Sequence, residues 1–201
     1  MASKTVSIVI AGVGGQGNVL MANVIGKAAI KAGYNVKGTN TYGAAQRGGP
    51  VLSQIRIGSN VLSPLIGLRE ADVLVALEPA EALRAINLLK KGGTAIVNTE
   101  RIYPVEVISG YTKYPALNDV LDPVKKVAKV FMEFNATKIA ETAGGIITLN
   151  AVMLGALTAT GVLPFPKDSV TSAIKEEVPK SAVDMNLKAF ELGYELVSKK
   201  E

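Results

Sequence analysis

A short apolar strand that runs into a glycine-rich turn and then a helix constrains this chain more than any other feature. Residues 5–11 (TVSIVIA) are apolar on both faces, as a central parallel strand is when helices cover both sides of its sheet. GVGGQG follows, and apolar residues then recur at helical spacing over 18–32, before a helix-ending Gly33. This order predicts the start of a Rossmann-like α/β fold.

The later segments extend the same pattern. Apolar, β-branched runs predict strands, and cap and turn residues predict the helices between them. We expect a mainly parallel sheet with one antiparallel hairpin, a helical C-terminal third, and a single domain over 1–201. The predicted strands are 36–41, 51–57 and 61–65 (the hairpin), 72–77, 94–98, 105–108 and 130–134; the predicted helices start at Pro79 (closed by 90–93), near Asn118 or at Asp122, at 146–159 and at Ser181.

Two residue types are missing, and their absence excludes several classes of chemistry. The 201 residues contain no Cys and no His. Iron–sulfur clusters and thiolate zinc sites need sulfur ligands, and the usual general base near neutral pH is imidazole. Chemistry carried out by this chain alone therefore depends on carboxylates, Lys, Tyr, Ser or Thr, or on a cofactor held by backbone groups. We predict no catalytic residue and no metal site in this chain.

Charge is distributed unevenly along the chain. The formal net charge is +5, and the first acidic residue is Glu70, after seven basic residues. The N-terminal third is therefore a candidate surface for an anionic ligand or an acidic partner. Nucleic acid is disfavoured because these cations are spread singly, with few aromatic residues between them to stack on bases.

Two long uncharged stretches raise the question of a membrane. Residues 5–26 and 142–166 lack charged side chains, but glycine, asparagine and threonine interrupt both. Neither is the continuous apolar span that a transmembrane helix needs. The first stretch also lacks the cleavage site of a secretory signal. We expect no membrane association and a cytoplasmic location.

The glycine turn is the first candidate site. Gly12, Gly14 and Gly17 match GxGxxG, whose backbone N–H groups and helix dipole hold phosphates in nucleotide-binding proteins. A nicotinamide dinucleotide also needs an acidic residue at the end of the second strand, and residues 36–42 contain none. NAD is therefore disfavoured, which leaves a tight packing turn, another phosphate ligand or a subunit contact.

A second candidate is the loop TYGAAQRGGP over 41–50, which is expected at the carboxyl end of a strand, beside the glycine turn. Ligands bind at that edge of open α/β sheets. An Arg among small residues approaches an anion with little hindrance and offers two parallel hydrogen bonds; the alternative is an Arg that caps local carbonyl groups. The candidate residues for facing a ligand or a subunit interface are Gly12, Gly14, Gly15, Gln16, Gly17, Tyr42, Gln46, Arg47, Gly48 and Gly49.

Seven segments, in order over nearly the whole chain, resemble the gamma-type domain (pyruvate/ketoisovalerate oxidoreductase domain) of 2-oxoacid:ferredoxin oxidoreductases. Within that family, the AQRGG form followed by SPLI is most similar to the indolepyruvate group. The segments are GVGGQG (12–17), YGAAQRGG (42–49), IRIG (55–58), SPLI (63–66), ADVLVALEPAEALR (71–84), NAVMLGA (150–156) and NLKAFELG (186–193).

The resemblance implies an accessory subunit in the CoA-dependent oxidative decarboxylation of a 2-oxoacid, here an aryl one. It implies that thiamine diphosphate, Mg and iron–sulfur clusters lie on a larger partner subunit in a hetero-oligomer such as α2β2, with coenzyme A as co-substrate and ferredoxin as acceptor. The alternatives are a gamma subunit of a pyruvate or 2-oxoglutarate enzyme, or a non-catalytic ligand-binding assembly module.

The family motifs also include polar residues outside the two loops. Asn150 and Asn186 match family asparagines on the C-terminal helices, and we interpret them as structural amides that tie backbone groups together. Glu78 and Glu81 lie three residues apart at a helix start, where their charges complement the helix dipole. We interpret these glutamates as structural too.

Overall fold

The computed structural model describes residues 5–43 and 48–199. In the described part, a six-stranded sheet has the order β2-β3-β1-β4-β5-β6. Strands β1, β4, β5 and β6 are parallel, and β3 runs antiparallel to both of its neighbours, β1 and β2. The strands are β1 (Val6–Val13), β2 (Asn35–Tyr42), β3 (Pro50–Gly58), β4 (Ala71–Ala76), β5 (Leu89–Asn98) and β6 (Val130–Phe134).

The helices cover both faces of this sheet, which confirms the predicted α/β class with its helical C-terminal third. Short 3-10 turns precede or follow some of them, at Ile86–Leu88, Ile146–Thr148 and Lys180–Ala182. The helices are α1 (Asn18–Lys31), α2 (Pro79–Ala85), α3 (Val105–Ile108), α4 (Leu117–Val127), α5 (Ala136–Ala143), α6 (Leu149–Ala159), α7 (Lys167–Glu177) and α8 (Val183–Ser198).

Alternate residues of β1 enter two separate hydrophobic cores. Ile8 and Ile10 pack with α1 and the C-terminal helices, whereas Val9 and Ala11 pack with α2 and α4. All four side chains are at most 1% exposed. A strand apolar on both faces is therefore the expected centre of a three-layer structure, and the glycine turn leaves from its carboxyl end.

The antiparallel hairpin is not the one predicted. Residues 51–57 are indeed a strand, but they pair with β2 and β1, so the hairpin is β2–β3. Residues 61–65 form no strand. Arg56 on β3 instead donates from Nη1 to the carbonyl oxygen of Leu65 at 3.3 Å, and the next residue, Ile66, donates its N–H to Gln54 Oε1 at 2.7 Å. Val61 is buried whereas Leu62 and Leu65 are exposed, so these apolar residues do not form one face of a strand.

Two other predicted elements were wrong. Residues 105–108 are the short helix α3 and not a strand; Pro104 directly precedes it and accepts hydrogen bonds from its last N–H groups. The helix at Pro79 ends at Ala85 and is not closed by residues 90–93. Residues 90–93 belong to β5 and form the irregular stretch between Leu89 and Thr94, both of which pair with β4.

Several predicted helix starts also need correction. Helix α4 begins at Leu117, near the earlier of the two predicted starts, and Pro123 lies inside it. The predicted helix 146–159 opens as a 3-10 turn and becomes α6 at Leu149. Residue Ala182 caps α8, so the capping box expected at Ser181 does not form.

Helix α6 is covered by its own chain. Residues 149–158 are all buried, and α6 crosses α8 so closely that neither crossing glycine has room for a side chain. A Cβ on Gly155 would lie 2.0 Å from the carbonyl oxygen of Phe190, and one on Gly193 would lie 2.0 Å from that of Val152. The apolar α6 is therefore core, and only Ile146 and Ile147, which precede it, are exposed.

Folding partly neutralises the basic N-terminal third. Lys27 on α1 lies 2.5 Å from Glu177 on α7, and Lys31 pairs with Glu176 one turn away. Acidic residues from the far end of the sequence thus lie beside cations from its beginning. Among the described residues, no single helix is long and apolar enough to cross a membrane; by length and composition, only the bent pair of α5 with residues 146–159 passes such a test.

Candidate functional site

The glycine turn and the second predicted loop meet at the carboxyl edge of the sheet. Gly14 donates its N–H to the carbonyl oxygen of Gly49 at 2.8 Å and accepts at 3.3 Å from the N–H of Gly48. Gly43 in turn donates to Pro50 across the base of the β2–β3 hairpin at 2.8 Å. Together these bonds form one backbone platform, the glycine ledge, which comprises residues 12–17 and 48–50.

Of the candidate residues in the second loop, Tyr42, Gly48 and Gly49 lie within the described part of the chain. Tyr42 ends β2 with its ring exposed. Gly48 is exposed and left-handed, with φ of 73°, a backbone conformation that favours glycine. Gln46 and Arg47 lie outside the described residues. The structure therefore joins the two candidate motifs through their glycines.

Gln16 fastens the glycine turn to the centre of the sheet. Its buried side chain accepts from the N–H of Val13 at 2.9 Å and donates to the carbonyl oxygen of Leu77 at 2.8 Å, just beyond β4. Because buried amides are costly to leave unpaired, these bonds fix the turn against the end of β4. The side-chain amide of Gln16 is thus hydrogen-bonded to backbone groups of its own chain.

Asn98, which the sequence reasoning missed, continues this connection. It is fully buried at the end of β5 and donates to the same Leu77 carbonyl oxygen at 3.0 Å. Its Oδ1 accepts from the N–H of Ala136 at the start of α5, at 3.0 Å. Gln16 and Asn98 together hold β1, β4, β5 and α5 at one edge. The signal in the sequence was a polar residue closing the apolar run TAIVN.

The glycines of the turn are used for close packing within the chain. A Cβ on Gly12 would lie 2.8 Å from both Gln16 Oε1 and Asn18 Oδ1, and a Cβ on Gly17 would lie 3.0 Å from the Asn150 side chain. Gly14 is paired with the hairpin base. In dinucleotide-binding turns, the corresponding glycines admit the pyrophosphate; in this chain, its own side chains and backbone occupy those approaches.

Strand order also differs from that of a dinucleotide-binding fold. In that fold the second strand is the parallel neighbour of the first and carries the ribose-binding acid. Here antiparallel β3 separates β2 from β1. The order of strands and the missing acid therefore both argue against a nicotinamide cofactor.

The two asparagines of the C-terminal helices differ in their partners. Asn186 donates to the carbonyl oxygen of Ala182 at 2.8 Å, at the start of α8. Asn150 is 5% exposed, and its Oδ1 has no hydrogen-bond partner among the described residues. Asn18 Oδ1 is likewise buried and unpaired, although its Nδ2 donates to the carbonyl oxygen of Val51 at 3.1 Å. Asn18 and Asn150 flank opposite ends of the glycine turn.

A buried acidic cluster lies beyond β4. Glu78 caps α2 by accepting from the N–H of Glu81 at 3.1 Å, and it also accepts from the Tyr114 hydroxyl. Tyr114 in turn accepts from the N–H of Ala80 at 3.1 Å. Burial and the hydrogen bond to Glu78 raise the pKa of Tyr114 well above its usual range. These contacts bind the segment 99–116 to the start of α2.

Glu81 is the second acid of this cluster. Burial raises the pKa of its carboxyl above the usual 4.5; paired Arg84 acts against this rise, and the nearby Glu78 carboxylate adds to it. Glu78 caps α2, and Glu81 forms an ion pair with Arg84 within the same helix. Among the described residues, no group of three or more acidic side chains is placed to hold a metal ion.

The structure is a Rossmann-like α/β domain whose glycine turn is closed by an antiparallel hairpin and whose strand order differs from that of dinucleotide-binding folds. Residues 7–196 match the family model described as pyruvate ferredoxin/flavodoxin oxidoreductase. The chain belongs to this family.

Individual relatives confirm the resemblance seen in the sequence motifs. The chain is 44% identical over 191 residues to the indolepyruvate oxidoreductase subunit IorB of Pyrococcus horikoshii, covering 94% of this chain and 95% of the relative. It is 44% identical over 188 residues to the same subunit of Archaeoglobus fulgidus, covering 94% and 93%. The gamma subunit of a keto/oxoacid ferredoxin oxidoreductase from Geobacter sulfurreducens has a similar structure, with TM-score 0.70, 28% identity, and coverage of 96% and 98%.

Proposed function

We propose that this chain is the accessory subunit of a 2-oxoacid:ferredoxin oxidoreductase of the indolepyruvate type. The single observation that carries the proposal is its 44% identity, over nearly its whole length, to relatives that are themselves named as subunits of indolepyruvate oxidoreductase. Residues 1–201 form one gamma-type domain in this proposal. The cytoplasmic location expected from the sequence stays a prediction.

The residues present support placing the cofactors on another chain. The sequence has no Cys to bind an iron–sulfur cluster. Among the described residues, no three or more acidic side chains are grouped so as to hold the Mg that accompanies thiamine diphosphate. We therefore assign thiamine diphosphate, Mg and the clusters to a larger partner subunit. There they would supply decarboxylation and one-electron transfer to ferredoxin, in a complex such as α2β2 with coenzyme A as co-substrate.

Within that complex, we assign the glycine ledge to the face that meets the partner near its active site. The ledge lies at the carboxyl edge of the sheet, where ligands of open α/β folds bind. Side chains and backbone of the same chain occupy the space beside its glycines, which favours a subunit contact over a nucleotide pocket. Arg47 directly precedes Gly48 of the ledge in the sequence. We assign to Arg47 the binding of an anionic group of the substrate or of coenzyme A.

Reconstitution tests the proposal. The purified chain and its larger partner are assayed separately and mixed, with coenzyme A and a viologen dye or ferredoxin as acceptor. Neither protein alone should turn over, and mixing should restore activity. Indolepyruvate or phenylpyruvate should give higher rates than pyruvate or 2-oxoglutarate.

Different outcomes would reject different parts of the proposal. Activity of the isolated chain with any 2-oxoacid, or full activity of the partner without it, would reject the accessory-subunit role. A clear preference for pyruvate or 2-oxoglutarate would keep that role but reject the substrate class. Small-molecule binding without any effect on the partner would favour an assembly or sensing module.

A further inference from the structure

The loop between β3 and β4 displays three leucines to solvent. Leu62, Leu65 and Leu68 are 85%, 64% and 74% exposed, and every third residue from 62 to 68 is thus a large apolar side chain outside the core. Exposed apolar side chains that occur singly are ordinary, but a contiguous group is typical of a contact surface. We call residues 61–70 the leucine loop.

This loop is held firmly, so the exposure of its leucines is a fixed property. Val61 and Ile66 are buried anchors. The N–H of Ile66 donates to Gln54 Oε1 at 2.7 Å, and Arg56 donates from Nη1 to the carbonyl oxygen of Leu65 at 3.3 Å. Two side chains of β3 thus fasten the segment from which the central leucine projects.

The end of the loop is built around a strained residue. Arg69 has φ of 63° and is the one non-glycine residue with positive φ in the described part of the chain. Such a conformation costs about 1 kcal/mol or more. It is held by the N–H of Arg69 donating to the carbonyl oxygen of Asn87 at 3.0 Å and by Glu70 accepting from the N–H of Gly67 at 3.1 Å. These hydrogen bonds therefore hold the end of the leucine loop in one conformation in spite of its cost.

A cavity of about 260 Å³, which we call the socket, lies on the face of β3 whose side chains hold the leucine loop. Its floor includes Leu52, which shares this face of β3 with Gln54 and Arg56, because side chains two residues apart point the same way. Its rim includes Gly43 and Pro50, at the hairpin base beside the glycine ledge. Its polar wall residues are Thr41, Glu81 and Arg84, and its other lining residues are Ala11, Tyr42, Val51, Ala85 and Leu88.

The size of the leucine loop argues against self-association through it. Three leucine side chains fall well short of the roughly 800 Å² per partner that a stable interface buries. A partner that meets the glycine ledge also reaches the socket and, beyond it, the loop, because Pro50 belongs to both the ledge and the socket lining. The socket is also suited to one large aromatic side chain, the kind of residue that anchors interfaces.

We infer that the leucine loop and the socket form a docking surface for the larger subunit of the same complex. This inference rests on the proposed function. The partner's matching surface is an apolar groove for the three leucines, beside an aromatic side chain that enters the socket. The contact adjoins the glycine ledge at Pro50 and sets affinity, whereas the rest of the ledge faces the active-site region.

A matched pair of variants tests this surface. Leu65→Ser should weaken the Kd for the purified larger subunit by about 10-fold, and the triple change Leu62→Ser, Leu65→Ser and Leu68→Ser by more than about 100-fold, as loss of buried apolar anchors does. Ile30→Ser on α1 is the control, because Ile30 is also 64% exposed but lies on the opposite face. Thermal unfolding of each variant and the sedimentation of the isolated wild-type chain complete the set.

The results separate the docking inference from the proposed function. If wild-type chain restores activity but the triple variant binds as tightly as wild type, the docking surface is wrong and the accessory role stands. If Ile30→Ser weakens binding equally, the effect is not specific to the loop and the inference fails. It also fails if the wild-type chain is a dimer that the triple change makes monomeric without altering partner binding. If wild type neither binds nor activates the partner, the proposed function itself fails.

Discussion

The N–H of Gly14 lies 2.8 Å from the carbonyl oxygen of Gly49 and donates to it, across 35 residues of sequence. One glycine belongs to the turn after β1 and the other to the loop that opens β3. Since Gly48 also donates to Gly14, the last residues of the hairpin loop are fixed relative to the start of α1. The glycine turn and the base of the β2–β3 hairpin therefore form one backbone unit.

Replacement of Arg47 should separate function from folding. We expect Arg47→Ala to leave the free energy of unfolding within about 0.5 kcal/mol of wild type, as for most surface changes, while turnover of the reconstituted complex falls by more than the change in stability accounts for. Urea unfolding and steady-state rates measure the two effects. Lys37→Ala, which removes an exposed cation from β2, should change neither. Early unfolding of Arg47→Ala, or unchanged turnover, would make the loop structural.

The crossing of α6 and α8 should tolerate no added methyl group. In Gly155→Ala, the new Cβ meets the backbone of Phe190 at 2.0 Å, so the helices must separate, and we expect a loss of about 3 kcal/mol or more. Gly26→Ala in α1 is the matched control, because its Cβ would meet only Val36 at an ordinary 3.8 Å. It should be neutral or stabilising by up to about 1 kcal/mol. Equal midpoints in urea for the two variants would contradict this packing.

Tyr114 should contribute to stability through its hydroxyl. Tyr114→Phe removes the donor to buried Glu78 and the acceptor for the N–H of Ala80, so we expect a loss of about 1–3 kcal/mol. Tyr103→Phe is the control, since Tyr103 contacts Tyr114 only through its ring, at 5.4 Å between centroids. Urea unfolding should separate the two variants; a Tyr114→Phe chain as stable as Tyr103→Phe would show that the hydroxyl is dispensable.

Glu81 should make stability depend on pH. Its pKa is raised in the folded protein, so the folded chain keeps this proton to higher pH than the unfolded chain does, and ionisation costs folding free energy. We therefore expect wild type to lose stability relative to Glu81→Gln as pH rises from about 4 through the raised pKa. Unfolding in urea from about pH 4 to about pH 8 measures this difference.

An exposed glutamate provides the comparison for Glu81. Glu106→Gln on α3 should follow the wild-type pH dependence throughout, because Glu106 is exposed to solvent. A stability difference between wild type and Glu81→Gln that stays constant with pH, or that changes in the opposite direction, would show that burial of the Glu81 carboxyl is compensated.

Local signals predicted the fold well where neighbouring residues decide structure. The strand before GVGGQG, the helix after it and the apolar α6 all follow from apolar periodicity and turn residues. The errors arose where distant residues decide. Residues 61–65 look like a strand, but Arg56 and Gln54 of β3 hold the backbone of Leu65 and Ile66 in a loop. Residues 90–93 look like a helix end but continue β5, between Leu89 and Thr94, which pair with β4.

The site was predictable in its parts but not in its arrangement. Both glycine motifs were found from residue types, yet nothing in either motif shows that Gly14 pairs with Gly49. Asn98 was missed because a single polar residue after an apolar run resembles an ordinary strand end; its partners Leu77 and Ala136 are identified only by the folded chain. Hydrogen bonds between distant segments are what the sequence does not display.

The placement of antiparallel β3 between β1 and β2 has a consequence for how this edge of the domain accepts changes of sequence. The hairpin is an edge addition to an otherwise parallel sheet, and the described ends of its loop, Gly43, Gly48 and Gly49, are held by backbone hydrogen bonds. Backbone pairing does not depend on the neighbouring side chains. Substitutions of side chains next to these glycines should therefore leave the pairing of Gly14 with Gly48 and Gly49 intact, so that the groups presented at this edge are set independently of the parallel core.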